Sequence, residues 1–419
     1  MTAEKFSHFS HSYFLSHSKR SNNSPAMATR DTLQEQLSGL QISDSTSWHR
    51  LQTHVQDVKL TGRLIIVGDV HGHLPELKNL LEKVSYDKTN GDQLIFVGDL
   101  INKGPDSPGV VQLAMDLDAL AIRGNNEDRV LAAYSAAKRG EDGEIIERWN
   151  RFNAEAEKEK SEGDQTVRDD IKALSREDLK PYMAASDFGT AAGLSDEQIK
   201  WLASQPLILR IKLPREATAA PWNAGTLIVA HGGLVPQIPL EEQDPWAVMN
   251  MRGLVYPVPE AETPEAIKAD MIKGAKSRVR RYAAFQHASD EEIKTQLAKM
   301  ADVVKNGEGF TGQHKEDLIG FPLESREGDW WIDAWNRWQN AIEDVEERSI
   351  VVYGHDARVG LQIGAEDPAV ARYTFGLDSG CVYGKSLTAL VIDRKDGGLE
   401  HEIVQVDAVK KAEDKAEGS

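Results

Sequence analysis

The stretch RLIIVGDVHGHL, Arg63 to Leu74, stops an apolar run on an aspartate, sets a histidine two residues later and a glycine after that. Its aliphatic run, Leu64 to Val67, reads as a strand buried on both faces, as in a parallel sheet. Beyond Val67 the chain turns polar and flexible, the kind of loop on which catalytic groups sit. The same phrase recurs downstream. DQLIFVGD (Asp92–Asp99) and LDALAIRGN (Leu117–Asn125) are further short strands ending in Gly98-Asp99 and Gly124-Asn125.

Helical patterns separate these strands. LPELKNLLEKV (Leu74–Val84) puts Leu74, Leu77, Leu81 and Val84 on one face. SPGVVQLAMDL (Ser107–Leu117) opens with Ser107 as N-cap and Pro108 at the first helical position, and EDRVLAAYSAA (Glu127–Ala137) forms a third helix. The resulting βαβαβα order predicts parallel strands with helical crossovers. Polar residues at the carboxyl ends of such strands converge on one crevice.

Farther along, the charged segment at about 138–200 and another at about 256–320 read as two helical insertions. Between them GTLIVAHGGLVP (Gly225–Pro236) is a strand ending at His231. A tryptophan-rich helix from Trp330 then feeds a strand ending at His355. YTFGLDSGCVYGKSLTALVID (Tyr373–Asp393) reads as two strands joined by a turn at Gly384-Lys385, closing the sheet. The catalytic domain is expected over 60–395, with a disordered leader over 1–45 and a charged tail over 405–419. His8, His11 and His17 in the leader are too irregularly spaced for a metal tract.

Composition narrows the function. With 67 acidic against 49 basic residues the chain carries a formal charge of −18, which opposes general binding to nucleic acid or to anionic membrane. A polyanionic substrate must therefore meet a local positive site. The single cysteine, Cys381, excludes an internal disulfide framework and fits a reducing compartment. No apolar run approaches the ~20 residues of a membrane helix.

The polar residues at strand ends, Asp69, His71, Asp99, Asn125, His231 and His355, form a mixed nitrogen and oxygen donor set. Such a set suits Zn²⁺, Mn²⁺ or Fe²⁺ rather than Ca²⁺. It exceeds what one tetrahedral ion takes, so a pair of ions sharing a carboxylate fits better, with Asp99 on the middle motif as the natural bridge.

GDVHGH, GDLINKGPDS, RGNNED, VAHGGLVP and YGHD together resemble the five blocks of calcineurin-like metallophosphoesterases of the protein-phosphatase branch. NKGPDS, HGGLVP and GLDSGCVYGKSLTALV resemble more closely the bis(5'-nucleosyl)-tetraphosphatase-like group, which includes fungal zinc-dependent endopolyphosphatases. The resemblance implies an α/β fold: a central β-sandwich flanked by helices, here with the two insertions. It also implies that Asp69, His71 and Asp99 hold one divalent ion and Asp99, Asn125, His231 and His355 the other. In such centres a pair of ions lowers the pKa of a water nucleophile and screens the phosphoryl charge. Arg123 matches the family's arginine before its GN motif, Lys103 stands where protein phosphatases carry another arginine, and Arg252 is a further phosphate-binding candidate. His73, near the metal motif, is a candidate substitute acid.

Two departures bear on the substrate. The family pattern GDxxDRG and GNHE becomes Asn102 in place of the aspartate and Asn126 in place of the histidine. In the family those residues pair, and the histidine protonates the leaving oxygen. Loss of both points to a leaving group that is already acidic, as in a phosphoanhydride. The expected order is therefore endopolyphosphatase, then dinucleoside polyphosphate or cap hydrolase, then phosphoprotein phosphatase; a metal-binding scaffold comes last. A phosphate-containing small molecule or polyphosphate is the expected partner, and the cytoplasm the expected location, with the vacuole as alternative. Trp331, Trp335 and Trp338 share a helical face and read as core, leaving Trp330 freest to meet a ligand. The cluster KSRVRRY (Lys276–Tyr282) reads either as a polyanion-steering patch or as a solvated helix face, and Asp378 as a residue orienting a ligand histidine.

Overall fold

Aliphatic runs too short for helices bury their backbone polar groups by pairing with one another, and the topology depends on which runs pair. The computed structural model describes residues 53–140, 172, 182–214, 219–256, 264–286, 288–305, 320–363, 371–395 and 398–409. The leader and the end of the tail lie outside them.

Strand β1 (Val55–Val58) precedes β2 (Leu64–Val67), α1 (Leu74–Lys83), β3 (Gln93–Phe96), α2 (Ser107–Asp116), β4 (Leu120–Ala121) and α3 (Asn125–Lys138). β2, β3 and β4 pair in parallel, with Leu64 opposite Gln93 and Ile95 opposite Leu120, as the βαβαβα pattern predicts. All four side chains of β2 are fully buried, each contributing ~1.5–3 kcal/mol. The N-cap of α2 is Asp106, whose carboxylate accepts from the Gly109 N–H, one residue earlier than the expected Ser107. Ser107 Oγ instead accepts the backbone N–H of Asn102.

Helices α4 (Ala185–Gly193) and α5 (Asp196–Ser204) come from the end of the first expected insertion, and β5 (Ile208–Lys212) and β6 (Thr226–Ala230) come next. After α6 (Pro245–Asn250) and β7 (Gly253–Val255), the second expected insertion supplies α7 (Glu265–Gln286) and α8 (Asp290–Lys305). The chain ends with β8 (Phe321–Leu323), β9 (Asp329–Trp330), α9 (Trp331–Ala341), β10 (Ser349–Tyr353), β11 (Thr374–Gly376), β12 (Ser386–Lys395) and β13 (Gly398–Asp407).

Two five-stranded sheets result, ordered β1-β5-β6-β10-β11 and β13-β12-β2-β3-β4, with a small sheet β8-β7-β9 beside them. Leu64, Ile66, Ile95 and Val97 share one apolar core with Leu227, Val229 and Val351 of the other sheet. Alternate residues Ile65, Val67, Leu94 and Phe96 pack with Leu77, Val110 and Leu131 of the covering helices. This is the helix-flanked sandwich that the family resemblance implies.

Three differences have physical causes. β11 and β12 do not close one sheet: β11 pairs with β10 and β12 with β2, so the chain crosses between sheets at Leu377–Lys385. β13 pairs along its whole length with β12, carrying the sheet to Asp407 and past the expected domain end at 395. β1 likewise extends it before residue 60, in parallel with β5.

Candidate active site

The loops after β2, β3, β6 and β10 and the start of α3 meet at one end of the sandwich. Buried there are Asp69, His71, Asp99 and His231. Asp99 Oδ1 lies 3.4 Å from His231 Nε2 and Asp99 Oδ2 lies 3.5 Å from His71 Nε2, so one carboxylate offers an oxygen to each side. Asn125 Oδ1 is 3.2 Å from His231 Nε2, and the rings of His231 and His355 stand edge to face at 5.1 Å. Asp69 accepts the backbone N–H of His355 at 3.0 Å and 3.2 Å. The six side chains picked from the sequence thus come together.

The local backbone is bent to achieve this. His71, Asp99, Asn102, Lys103 and His355 all have positive φ, between 46° and 73°. Non-glycine residues in that region cost about 1–3 kcal/mol each and cluster at functional sites. Packing is close enough that a β-carbon on Gly354 would stand 2.0 Å from Asp69 Oδ1.

The histidines are presented in the form a metal needs. His71 Nδ1 and His231 Nδ1 lie 3.1 Å and 2.8 Å from the carbonyls of Ile101 and Val97, so each Nδ1–H donates there and Nε2 is the atom turned toward Asp99. His355 is reversed: Nε2 donates to the Asn250 carbonyl at 3.1 Å, leaving Nδ1 as the ring nitrogen available to an ion. Burial, aided by Lys103 and His231, lowers His71 to about 4, against the pull of Asp99. Burial also lowers His355 well below its usual value, helped by Arg252 and His231. Burial would lower His231 too, but the charge of Asp99 raises it overall.

The carboxylates pull apart in the opposite sense. Burial, Asp378 and Asp99 raise Asp69 well above the ordinary range. Burial alone would raise Asp99, yet His231, His71 and Lys103 hold it well below that range. Buried carboxylates set beside buried imidazoles form the mixed oxygen and nitrogen donor set that divalent cations suit. Asp69, Asp99 and His231 already bring ligand atoms within 4.8 Å of one another. The residues therefore fit the implied metal centre.

Around these candidate ligands stand groups that no sequence motif singled out. Glu127, buried at the third position of α3, accepts the N–H groups of Asp99, Leu100 and Gly124 at 2.8 Å and of Ile101 at 3.3 Å. Its place in RGNNED, three residues after Gly124, is the available signal. Asn126 Nδ2 donates to Asp99 Oδ2 at 2.5 Å, while its N–H donates to Asp99 Oδ1 at 3.0 Å. Asp378 accepts the Gly380 N–H at 3.0 Å and acts on Asp69, rather than on the histidine expected.

The expected cations have different fates. Lys103 is exposed at the mouth, its Nζ 3.1 Å from His71 Nε2. Arg252 lies beside His355, its Nη1 donating to the Glu324 carbonyl at 3.0 Å and its Nε 3.8 Å from Asp356 Oδ2. Arg326, which no motif singles out, also pairs with Asp356. Arg123 corrects the expectation for it: the guanidinium is wholly buried, 3.9 Å from Asp128, so it is not open to a phosphate. Beneath it, Arg281 grips Asp128 at 2.6 Å and 3.0 Å.

Arg278 pairs with Asp244 and lies 3.9 Å over the Trp246 ring. The basic cluster thus braces α7 against the core and is neither a steering patch nor a solvated face. Trp331 and Trp335 are buried as expected, and Trp330 lines a narrow cleft with Arg252, Arg326 and Tyr353. His73 stands at the N-cap position of α1 without a capping hydrogen bond from its side chain, and faces Glu76 at 3.6 Å. Cys381 is buried, which pushes its thiol up to about 12, and plays no nucleophilic part.

A buried cluster of aspartate, histidine and asparagine at the ends of sandwich strands is the centre of a metallophosphoesterase. The chain belongs to the calcineurin-like phosphoesterase family, whose model matches residues 62–379. It is accordingly a phosphoesterase-type hydrolase of a divalent-metal-dependent family. Among similar proteins, the symmetrical bis(5'-nucleosyl)-tetraphosphatase of Coxiella burnetii (strain RSA 331 / Henzerling II) is 25% identical over 345 residues, 81% of this chain and 92% of that one. The protein of the same description from Nitrosospira multiformis is 24% identical over 335 residues, 78% and 92% of the two chains. A solved structure provisionally described as a diadenosine tetraphosphatase aligns over 86% of this chain and 100% of its own, at 24% identity and a TM-score of 0.46.

Proposed function

We propose that the protein hydrolyses phosphoanhydride bonds, with dinucleoside polyphosphates as the leading substrate class. In this reading Asp69, His71 and Asp99 hold one divalent ion and Asp99, Asn125, His231 and His355 a second, both Zn²⁺, Mn²⁺ or Fe²⁺ by donor chemistry.

The observation that carries the reading is the pair of amides at the acid position. Asn102 and Asn126 are both buried, 3.1 Å apart, and neither carboxamide has a proton to give at physiological pH. A serine alkoxide needs such a proton, whereas a phosphate leaving from an anhydride is stable as an anion. Bound ions supply a water of lowered pKa and screen phosphoryl charge. The chain's own groups do the remainder. Asn126 and Glu127 fix Asp99; Lys103 neutralises phosphoryl oxygens at the mouth, and Arg252, near His355, supplies a second cation.

The relatives named for symmetrical tetraphosphate cleavage favour dinucleoside polyphosphate over polyphosphate, reversing the order suggested by the motifs alone. Polyphosphate has the same bond and is the second reading. No helix among the described residues is long and apolar enough to cross a membrane, and the lone cysteine favours the cytoplasm. A panel of diadenosine tetraphosphate, polyphosphate, capped RNA and phosphoserine peptide, run with added Zn²⁺ or Mn²⁺, tests the reading. Faster turnover of the phosphopeptide than of both anhydrides overturns it.

A further inference from the structure

An amide has two ends, and only one orientation of Asn126 helps the metal centre. Its Nδ2 must face Asp99 and its Oδ1 must face away. Two donors hold it that way: Arg129 Nη2 at 2.8 Å and Asn102 Nδ2 at 3.1 Å, both on Oδ1. Asn102 has the same ambiguity, resolved in turn by its neighbours. Its Nδ2 also donates to Asp187 Oδ1 at 2.6 Å, while its Oδ1 accepts from Thr190 Oγ1 and from the Lys103 N–H, each at 3.1 Å.

The ends of this chain of contacts are a cation and an anion that face each other, Arg129 Nε lying 3.3 Å from Asp187 Oδ2. Asp187 is fully buried and is itself fixed by the Ala184 N–H at 2.8 Å. Both Asp187 and Thr190 lie on α4, from the first insertion, whereas Arg129 lies on α3 behind the asparagine of the metal site.

Reversal of Asn126 would turn an oxygen onto Asp99 Oδ2 and an NH₂ onto Arg129. Both contacts would be repulsive, and a buried donor or acceptor left without its partner costs about 1–3 kcal/mol. A charged pair is a firm director of amide orientation because it offers a donor at one end and an acceptor at the other.

We infer that Arg129 and Asp187 are a positioning pair that, through Asn102 and Asn126, aims an N–H at Asp99 and so sets the affinity of the metal centre. This rests on the two-ion reading above. The first insertion then completes the layer behind the ligands, occupying with fixed amides the place where the related pattern has a titrating dyad. Removal of such outer partners typically weakens metal binding by about 10–100-fold.

The test is metal affinity of the apo protein, measured by competition against a chromogenic Zn²⁺ chelator, with apo thermal melting alongside. Asp187→Asn and Arg129→Gln should bind Zn²⁺ about 10–100-fold more weakly than wild type. Arg129→Lys, which keeps a donor and the charge, should recover part of that loss. Thr190→Val, a milder change on Asn102 alone, should weaken binding less and decides the matter if the charge variants do not fold. Variants that fold and bind as tightly as wild type overturn the inference alone. A wild type that binds no ion overturns the metal-centre reading, and this inference with it.

Discussion

Replacing Glu127 by glutamine probes the scaffold of the site with little change in size. The carboxylate divides four backbone donors between its oxygens: Oε2 takes the N–H groups of Asp99 and Gly124, and Oε1 those of Leu100 and Ile101. Glutamine keeps one oxygen, so two of these donors face an NH₂ instead. Each orphaned buried donor costs about 1–3 kcal/mol, which gives a loss of about 2–6 kcal/mol. Burial and the neighbouring Asp99 push Glu127 up to about 7, so urea unfolding of the metal-free protein at pH 8 compares the charged side chain with its neutral analogue. Glu82→Gln, on the exposed face of α1, is the control and should change stability by less than about 0.5 kcal/mol. A Glu127→Gln protein within about 1 kcal/mol of wild type would refute the idea that this side chain holds the Asp99 loop.

Further outcomes can be worked from the same geometry. Lys103→Ala should lower kcat/KM by about 10–150-fold, the equivalent of one charge-assisted bond of ~1.5–3 kcal/mol, with little change in melting temperature; steady-state kinetics decide this. Arg281→Met leaves Asp128 without its main partner and should destabilise the protein by about 3–5 kcal/mol at pH 7. Burial alone would raise Asp128, but Arg281, Arg123 and Tyr182 hold it below the ordinary value. Its stabilising contribution is therefore present above the unfolded-state pKa of ~3.9 and fades as pH falls through the folded value, so the Arg281→Met penalty should shrink at pH 3; denaturation at the two pH values shows it. Gly104→Ala sets a β-carbon 1.8 Å from the His71 carbonyl and should cost about 1–3 kcal/mol, with a larger proportional loss of metal binding; calorimetry and metal titration separate the two.

The sequence carries the candidate ligands in plain view because they follow strands that local pattern alone predicts, as at Val67-Gly68-Asp69 and Tyr353-Gly354-His355. It carries β2, β3 and β4 for the same reason. β5 is not among the strands read from the motifs, and β7, β8 and β9 are only two or three residues long and owe their existence to distant pairing. The direction of a side chain is likewise not local: Arg123 comes just after β4 as the motif requires, yet turns inward to Asp128. Arg129 and Asp187 are invisible in sequence because their meaning depends on a contact between α3 and α4, elements joined by a long charged segment. Asp378 reads correctly as a supporting group but with the wrong partner, since spacing does not distinguish a nearby histidine from a nearby aspartate.

Metal content read against hydrolysis tests the central claim most directly. Protein stripped by chelation and reloaded with Zn²⁺ or Mn²⁺ should take up two ions per chain and hydrolyse diadenosine tetraphosphate only when loaded. Asp99→Asn, which weakens the shared oxygen donor, should lose ion binding and turnover together. A stripped wild-type protein that keeps full activity, or an Asp99→Asn protein that binds both ions and turns over substrate normally, would contradict the account.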